Sequence, residues 1–163
     1  LGNTQRMIFT TGATASDTGA WNNTTPTSTV FSLGSGSQSN SSSNDYIGYI
    51  FSEVEGYSKF GSYTGNGNAD GTFVYVGFKP AYVMIKKTSG TGSWNIIDLA
   101  RGDDDAYLSA NSSNAEGVMT NGSFELLSNG FKLRNTFSEW NASGSTYIYM
   151  AFAEAPFKYA NAR

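Results

Sequence analysis

Short runs of aromatic and β-branched residues recur along this chain, and Gly, Asn or Ser cuts each of them off within a few residues. That is the pattern of short strands joined by turns. No window holds a sustained 3.6-residue apolar period with caps, so helices are not the framework. Strands are expected near 6–10, 28–33, 46–53, 58–63, 72–78, 82–87, 94–98, 106–110, 123–127, 131–133 and 146–153. In AYVMIKK, residues 81–87, Tyr82 and Met84 alternate against Val83 and Ile85. Pro80 stands at that strand's start, where a missing N–H is tolerated. TGNGNADG (64–71) and LSNG (127–130) read as hairpin turns, and GSGSQSNSSSN (34–44) reads as a mobile low-complexity loop. Together these predict an all-β fold, an antiparallel β-sandwich of jelly-roll type.

Composition then removes whole classes of chemistry. The 163 residues include no cysteine and no histidine. Disulfides, thiolate metal sites, Ser-His-Asp and Cys-His catalysis and His-ligated zinc are thereby excluded. Net charge is −3, only 14% of residues are charged, and no basic stripe exists, so a nucleic-acid footprint is missing. No apolar run approaches the roughly 20 residues that span a bilayer, and no basic region followed by an apolar core marks a signal peptide. The chain starts at Leu1 rather than Met, which reads as a processed chain or a fragment. Asn, Ser, Thr and Gly account for 72 of the 163 residues, beside 15% aromatics. Disorder goes with few aromatics and high charge, so this mixture fits instead a turn-rich β domain on the outside of a cell or particle.

One strand pattern is written twice. Tyr46, Ile47, Phe51 and Glu53 match Tyr147, Ile148, Phe152 and Glu154 at an offset of 101. TVFSL (29–33) lies over NGFKL (129–133), and MIFTTGATAS (7–16) over YLSANSSNAE (107–116), both at an offset of 100. Three matches in one order predict an internal repeat of about one and a half copies. Residues 1–56 would then be the rear half of one unit, and 57–163 a complete sandwich unit.

Three blocks carry a family resemblance: GYSKFGSYTGNGNADGTFVYVGFKPAYVMIKK (56–87), SWNIIDLARG (93–102) and STYIYMAFAEAPFKYANAR (145–163). Together they resemble a repeat domain of structural proteins of tailed phages, notably marine and cyanobacterial ones. The resemblance implies a virion component, a tail fibre or similar surface appendage. It brings no catalytic or ligand residues with it.

Candidate chemistry is sparse. Glu53 and Glu154 end the two matched strands, each on an apolar face. They read as strand caps accepting backbone N–H groups, with a paired acid/base site as the alternative. Asn66, Asn68 and Asp70 alternate before Gly71 like half a calcium loop, but Gly77 stands where the bidentate Glu belongs, so a Gly/Asn hairpin is the reading. Asp103, Asp104 and Asp105 form an acidic loop that could hold Ca²⁺ weakly; no other cofactor is expected. Trp94 is expected to pack on the core. Trp21 and Trp140 sit among Asn, Ser and Thr. With Glu139 and Asn141 they are the candidates for an aromatic plate that stacks a sugar.

The expectation is a non-enzymatic virion surface protein, a homo-oligomer and most simply a trimer, associated with other virion proteins and touching a host-surface glycan. No nucleic acid and no membrane insertion are expected. The alternatives are a capsid-decorating or cement protein or filament subunit, and a glycan-depolymerising spike.

Overall fold

The computed structural model describes residues 1–102, 105–119 and 124–155. Its framework is antiparallel β throughout. The strands are β1 Gln5–Arg6, β2 Ala15–Ser16, β3 Ser58–Thr64, β4 Phe73–Tyr75, β5 Pro80–Lys87, β6 Trp94–Asp98, β7 Ala106–Ser109, β8 Gly117–Val118, β9 Phe124–Leu127, β10 Gly130–Leu133 and β11 Thr146–Ala153. The one helical turn among the described residues is a 3-10 turn, Leu99–Arg101. The chain forms two compact units: residues 1–8 with 12–51, and residues 9–11 with 52 onward.

The second unit is a sandwich of two sheets. One has six strands in the order β3-β11-β5-β6-β7-β8, the other three in the order β4-β10-β9. β11 lies inside the larger sheet, paired along its length with β3 and with β5. Strand alternation sends one face inward: Tyr63 of β3, Val83 and Ile85 of β5, Ile97 of β6, and Tyr147, Tyr149 and Ala151 of β11 are all buried. Val74, Phe124, Phe131 and Leu133 of the smaller sheet complete this core. The rings pack in the preferred offset and edge geometries. Tyr63 stacks on Tyr147 at 5.0 Å, Phe124 on Phe131 at 5.1 Å, and Phe131 meets the edge of Tyr149 at 5.4 Å. A bulge between Phe152 and Ala153 brings Ala153 opposite Pro80. Pro80 thus starts β5, as the sequence predicts.

The first unit is built differently. β1 and β2 form a short hairpin, pinned by an ion pair between Arg6 and Asp17. The Asp17 carboxylate also accepts hydrogen bonds from the backbone N–H groups of Gly19 and Ala20. Ala20 is the buried hydrophobic residue of this unit. The serine-rich segment 34–44, expected as a mobile loop, is hydrogen-bonded back to 19–20: Gly34 N–H donates to Ala20 O and Gly36 N–H to Gly19 O, both at 3.1 Å. A side chain at Gly34 would overlap the Gly19 carbonyl, so glycine is required there.

Several expectations are corrected. No strand forms over 28–33 or 46–53, and the strand near 6–10 shrinks to β1. The fold therefore does not display the expected repeat: β10 and β11 lie in ladders, while their matched segments in the first unit do not. Pattern alone does not make a strand, because each ladder needs a neighbour to supply hydrogen bonds and burial. The turn 127–130 does join a hairpin, β9 to β10. The turn 64–71 does not, since it leads from β3 in one sheet to β4 in the other.

Candidate functional site

Loop 134–145, read from sequence as a sugar-stacking platform, is instead a plug in the core. Trp140 is 1% exposed. Its indole N–H donates to Asn135 Oδ1 at 2.8 Å, and its ring packs at 5.5 Å against the edge of Tyr107 and at 5.0 Å against Phe137. Asn141 is fully buried. It accepts from Asn66 N–H at 3.0 Å and donates to Asn68 O at 2.9 Å and to Asn135 O at 2.6 Å. Two tyrosine hydroxyls bolt the loop from below: Tyr63 donates to Trp140 O at 2.8 Å, and Tyr147 donates to Ser138 O at 2.9 Å. Neighbouring indole and amide groups signal a sugar plate only when they reach the surface. Here they satisfy each other inside, as buried polar groups must.

Glu139 is likewise committed. Its carboxylate accepts from Ser93 N–H at 2.6 Å and from the Asn95 amide at 3.4 Å. Close by lies a group that sequence reasoning missed. Lys86 is buried, and its ammonium donates to three backbone carbonyls: Gly92 at 2.9 Å, Lys87 at 3.0 Å and Thr11 at 3.3 Å. Burial pushes its pKa down, and the Glu139 charge opposes the shift. All three ammonium hydrogens are used, so this lysine acts as a staple for the 88–92 turn and the strap at 9–11. Its signal was present in the sequence, since Lys86 shares a face with Tyr82 and Met84. On the same strap Phe9 stacks on Trp94 at 5.1 Å, which leaves Trp94 half-buried.

The carboxylates do not assemble into an acid/base pair. Glu53 accepts from Lys59 Nζ at 2.7 Å and from Phe60 N–H at 3.2 Å, and these bonds hold its pKa below the usual carboxylate value. Glu154 pairs with Lys79 at 2.9 Å. Loop 66–71 is a chain of Asx turns. Asn66 Oδ1 accepts from Asn68 N–H, and Asn68 Oδ1 accepts from Asp70 N–H, both at 2.9 Å. The Asp70 carboxylate faces Lys132 at 2.6 Å and Arg134 at 3.0 Å, and the Lys132 hydrogen bond depresses its pKa most. Two cations at that carboxylate take the place a calcium ion would need. Asp103 and Asp104 lie outside the described residues. Asp105 O accepts from Met119 N–H at 2.7 Å. Among the described residues no three acidic side chains cluster as a metal site.

What remains open is a cleft and one half-buried indole. The cleft runs along the side of the sandwich where β3 and β4 are the outermost strands. It encloses about 560 Å³ and is lined by Glu53, Glu55, Lys59 and Tyr75 with small residues between. A smaller cavity of about 250 Å³ lies over Tyr107, Met119, Phe137 and Trp140. In the first unit, Trp21 is half-buried; its indole N–H donates to Gln5 O at 3.1 Å and its ring meets the edge of Phe31 at 6.5 Å. Asn22 and Asn23 follow in the left-handed region at φ 51° and 49°, and with Thr24 and Thr25 they stand exposed beside the indole.

No helix among the described residues is long and apolar enough to cross a membrane. No curated protein and no solved structure matches the chain. Residues 1–156 do match a domain family, described as domain of unknown function DUF7483, and the chain belongs to that family.

Proposed function

We propose that this chain is a non-enzymatic structural module on the virion surface of a tailed phage, a segment of a tail fibre or similar appendage that touches a host-surface glycan. One observation carries the reading. The blocks that resemble phage structural repeats, 56–87, 93–102 and 145–163, contain β3, β5, β6 and β11 of the larger sheet and β4 of the smaller one, which are framework strands. What is shared is therefore a scaffold and not a constellation of reactive groups. Function then falls to assembly and to exposed loops.

With Trp140 buried, the glycan contact belongs to Trp21 in this reading. Its ring supplies a stacking face, and the exposed Asn22, Asn23, Thr24 and Thr25 supply hydrogen-bonding groups beside it. Two measurements test the proposal. Antibodies raised against the purified chain should label an appendage on intact phage particles. Trp21→Ala should weaken binding of the full chain to host envelope glycans by roughly tenfold, the scale of a lost aromatic contact, with an unchanged melting curve. Particles without label would sink the virion assignment, and unaltered binding by the variant would sink the glycan site.

A further inference from the structure

Residues 47–50, IGYI, lie inside the segment that matches β11 but sit in no ladder. Ile47 and Tyr49 are each 82% exposed, and Ile50 is exposed too. No backbone hydrogen bond holds Ile47, Gly48, Tyr49 or Ile50. A side chain built on Gly48 would meet nothing within 4 Å. The usual protections of an exposed strand are missing as well. There is no proline from 27 to 79 and no Lys or Arg from 7 to 58. An apolar, proline-free, low-charge segment with open backbone groups is a template for pairing with another chain.

The same chain also offers a vacant edge. β4 pairs with β10 on one side only. Thr72 O accepts from Leu133 N–H and Val76 N–H donates to Asn129 O. By antiparallel alternation the N–H and C=O groups of Phe73 and Tyr75 therefore point away from β10, toward the open side. Both side chains are exposed, Tyr75 at 65%. The edge at 73–75 is short, and so is the segment at 47–50.

We propose that residues 47–50 of one copy add as a strand to the β4 edge of a second copy of this chain, reciprocally. The pattern itself argues for a second copy. In this fold the matched strand β11 is satisfied only by two antiparallel neighbours, and β3 and β5 are already paired with β11. Area argues for reciprocity. Three aromatic side chains at about 150–250 Å² each, with two isoleucines, bring one exchange to roughly 600 Å². Two exchanges reach the roughly 1,200 Å² at which specific interfaces begin. Aromatic and β-branched side chains facing across strands are the favoured pairs of a sheet. The inference rests on edge geometry and pattern and does not depend on the virion reading.

The test uses the full chain and light scattering over a concentration series. The wild type should reach twice its 17.4 kDa monomer mass. Ile50→Lys puts a charge on the donor segment, and Tyr75→Pro removes one outward N–H from the acceptor edge without touching the β10 ladder. Each variant alone should remain monomeric at concentrations tenfold above the wild-type midpoint. Should Tyr75→Pro fail to fold, Tyr75→Lys addresses the same edge. A wild type monomeric at every concentration overturns the proposal. So does a dimer that survives either substitution.

Discussion

Segments 46–53 and 147–154 share Tyr, Ile, Phe and Glu at the same four places, yet they fare in opposite ways. Tyr147 is fully buried, stacked on Tyr63, and its hydroxyl both donates to Ser138 O and accepts from Ala142 N–H. Its counterpart Tyr46 is exposed, and its hydroxyl serves local groups, donating to Ser37 O and accepting from Ser41 N–H. Ile148 lies between β3 and β5, opposite Ser62 and Lys86, while Ile47 stands in solvent. Glu154 and Glu53 both end on a lysine, so the carboxylate is used alike where the strand is not. The lesson is that alternation is permission to form a strand, and neighbours with free backbone groups decide whether it forms.

The comparison is broken most strongly by truncating the buried member. Tyr147→Ala removes a stacked ring and two hydrogen bonds from the core, and should cost about 3–5 kcal/mol. For a chain of this size that lowers the melting temperature by roughly 10 °C, read by calorimetry. A drop of only a degree or two would mean that β11 is not the central strand described here.

An alkaline series sharpens the contrast next. Burial raises the pKa of Tyr63 well above its ordinary 10.0, and raises Tyr147 and Tyr149 as well. In the unfolded chain these phenols ionise near 10. The folded state keeps its protons longer, so its stability is full below pH 10 and is lost as pH rises through the higher folded values. Urea midpoints measured from about pH 8 to 11 should be flat and then fall, with a shallower fall in Tyr63→Phe. A midpoint that rises above pH 10 would contradict the burial. The smallest effect belongs to the exposed member: Ile47→Ala should shift the stability of the monomer by less than about 0.5 kcal/mol.

Much of the sandwich was legible in the sequence. β6 and β11 fall where alternation places them, and β3, β5, β7, β9 and β10 within a residue or two. Pro80 and the Ser128–Asn129 turn punctuate as expected. β8 was missed because two residues carry no period, and 28–33 and 46–53 were over-read because a period says nothing about partners. The candidate site was less legible. Trp140, Glu139 and Asn141 look in sequence like a surface trio, since amides beside an indole serve equally for a sugar or for a buried network. Only the contacts from Tyr147 on the next strand and from Tyr63, far away in sequence, decide between them. Lys86 is marked in sequence only by its place on the face of Tyr82 and Met84; its carbonyl partners sit on the adjacent Lys87, in the turn at Gly92 and on the distant strap at Thr11.

The central claim is that one pattern is folded in β11 and left open at 47–50 until a second chain closes it. Amide hydrogen exchange on the full chain tests it directly, with both segments followed at low and at high protein concentration. The account predicts strong protection of 147–152 at every concentration. It predicts immediate exchange at 47–50 in dilute solution and slowed exchange there as concentration rises. Protection of 47–50 in the dilute monomer, or equal and concentration-independent exchange in the two segments, would contradict it.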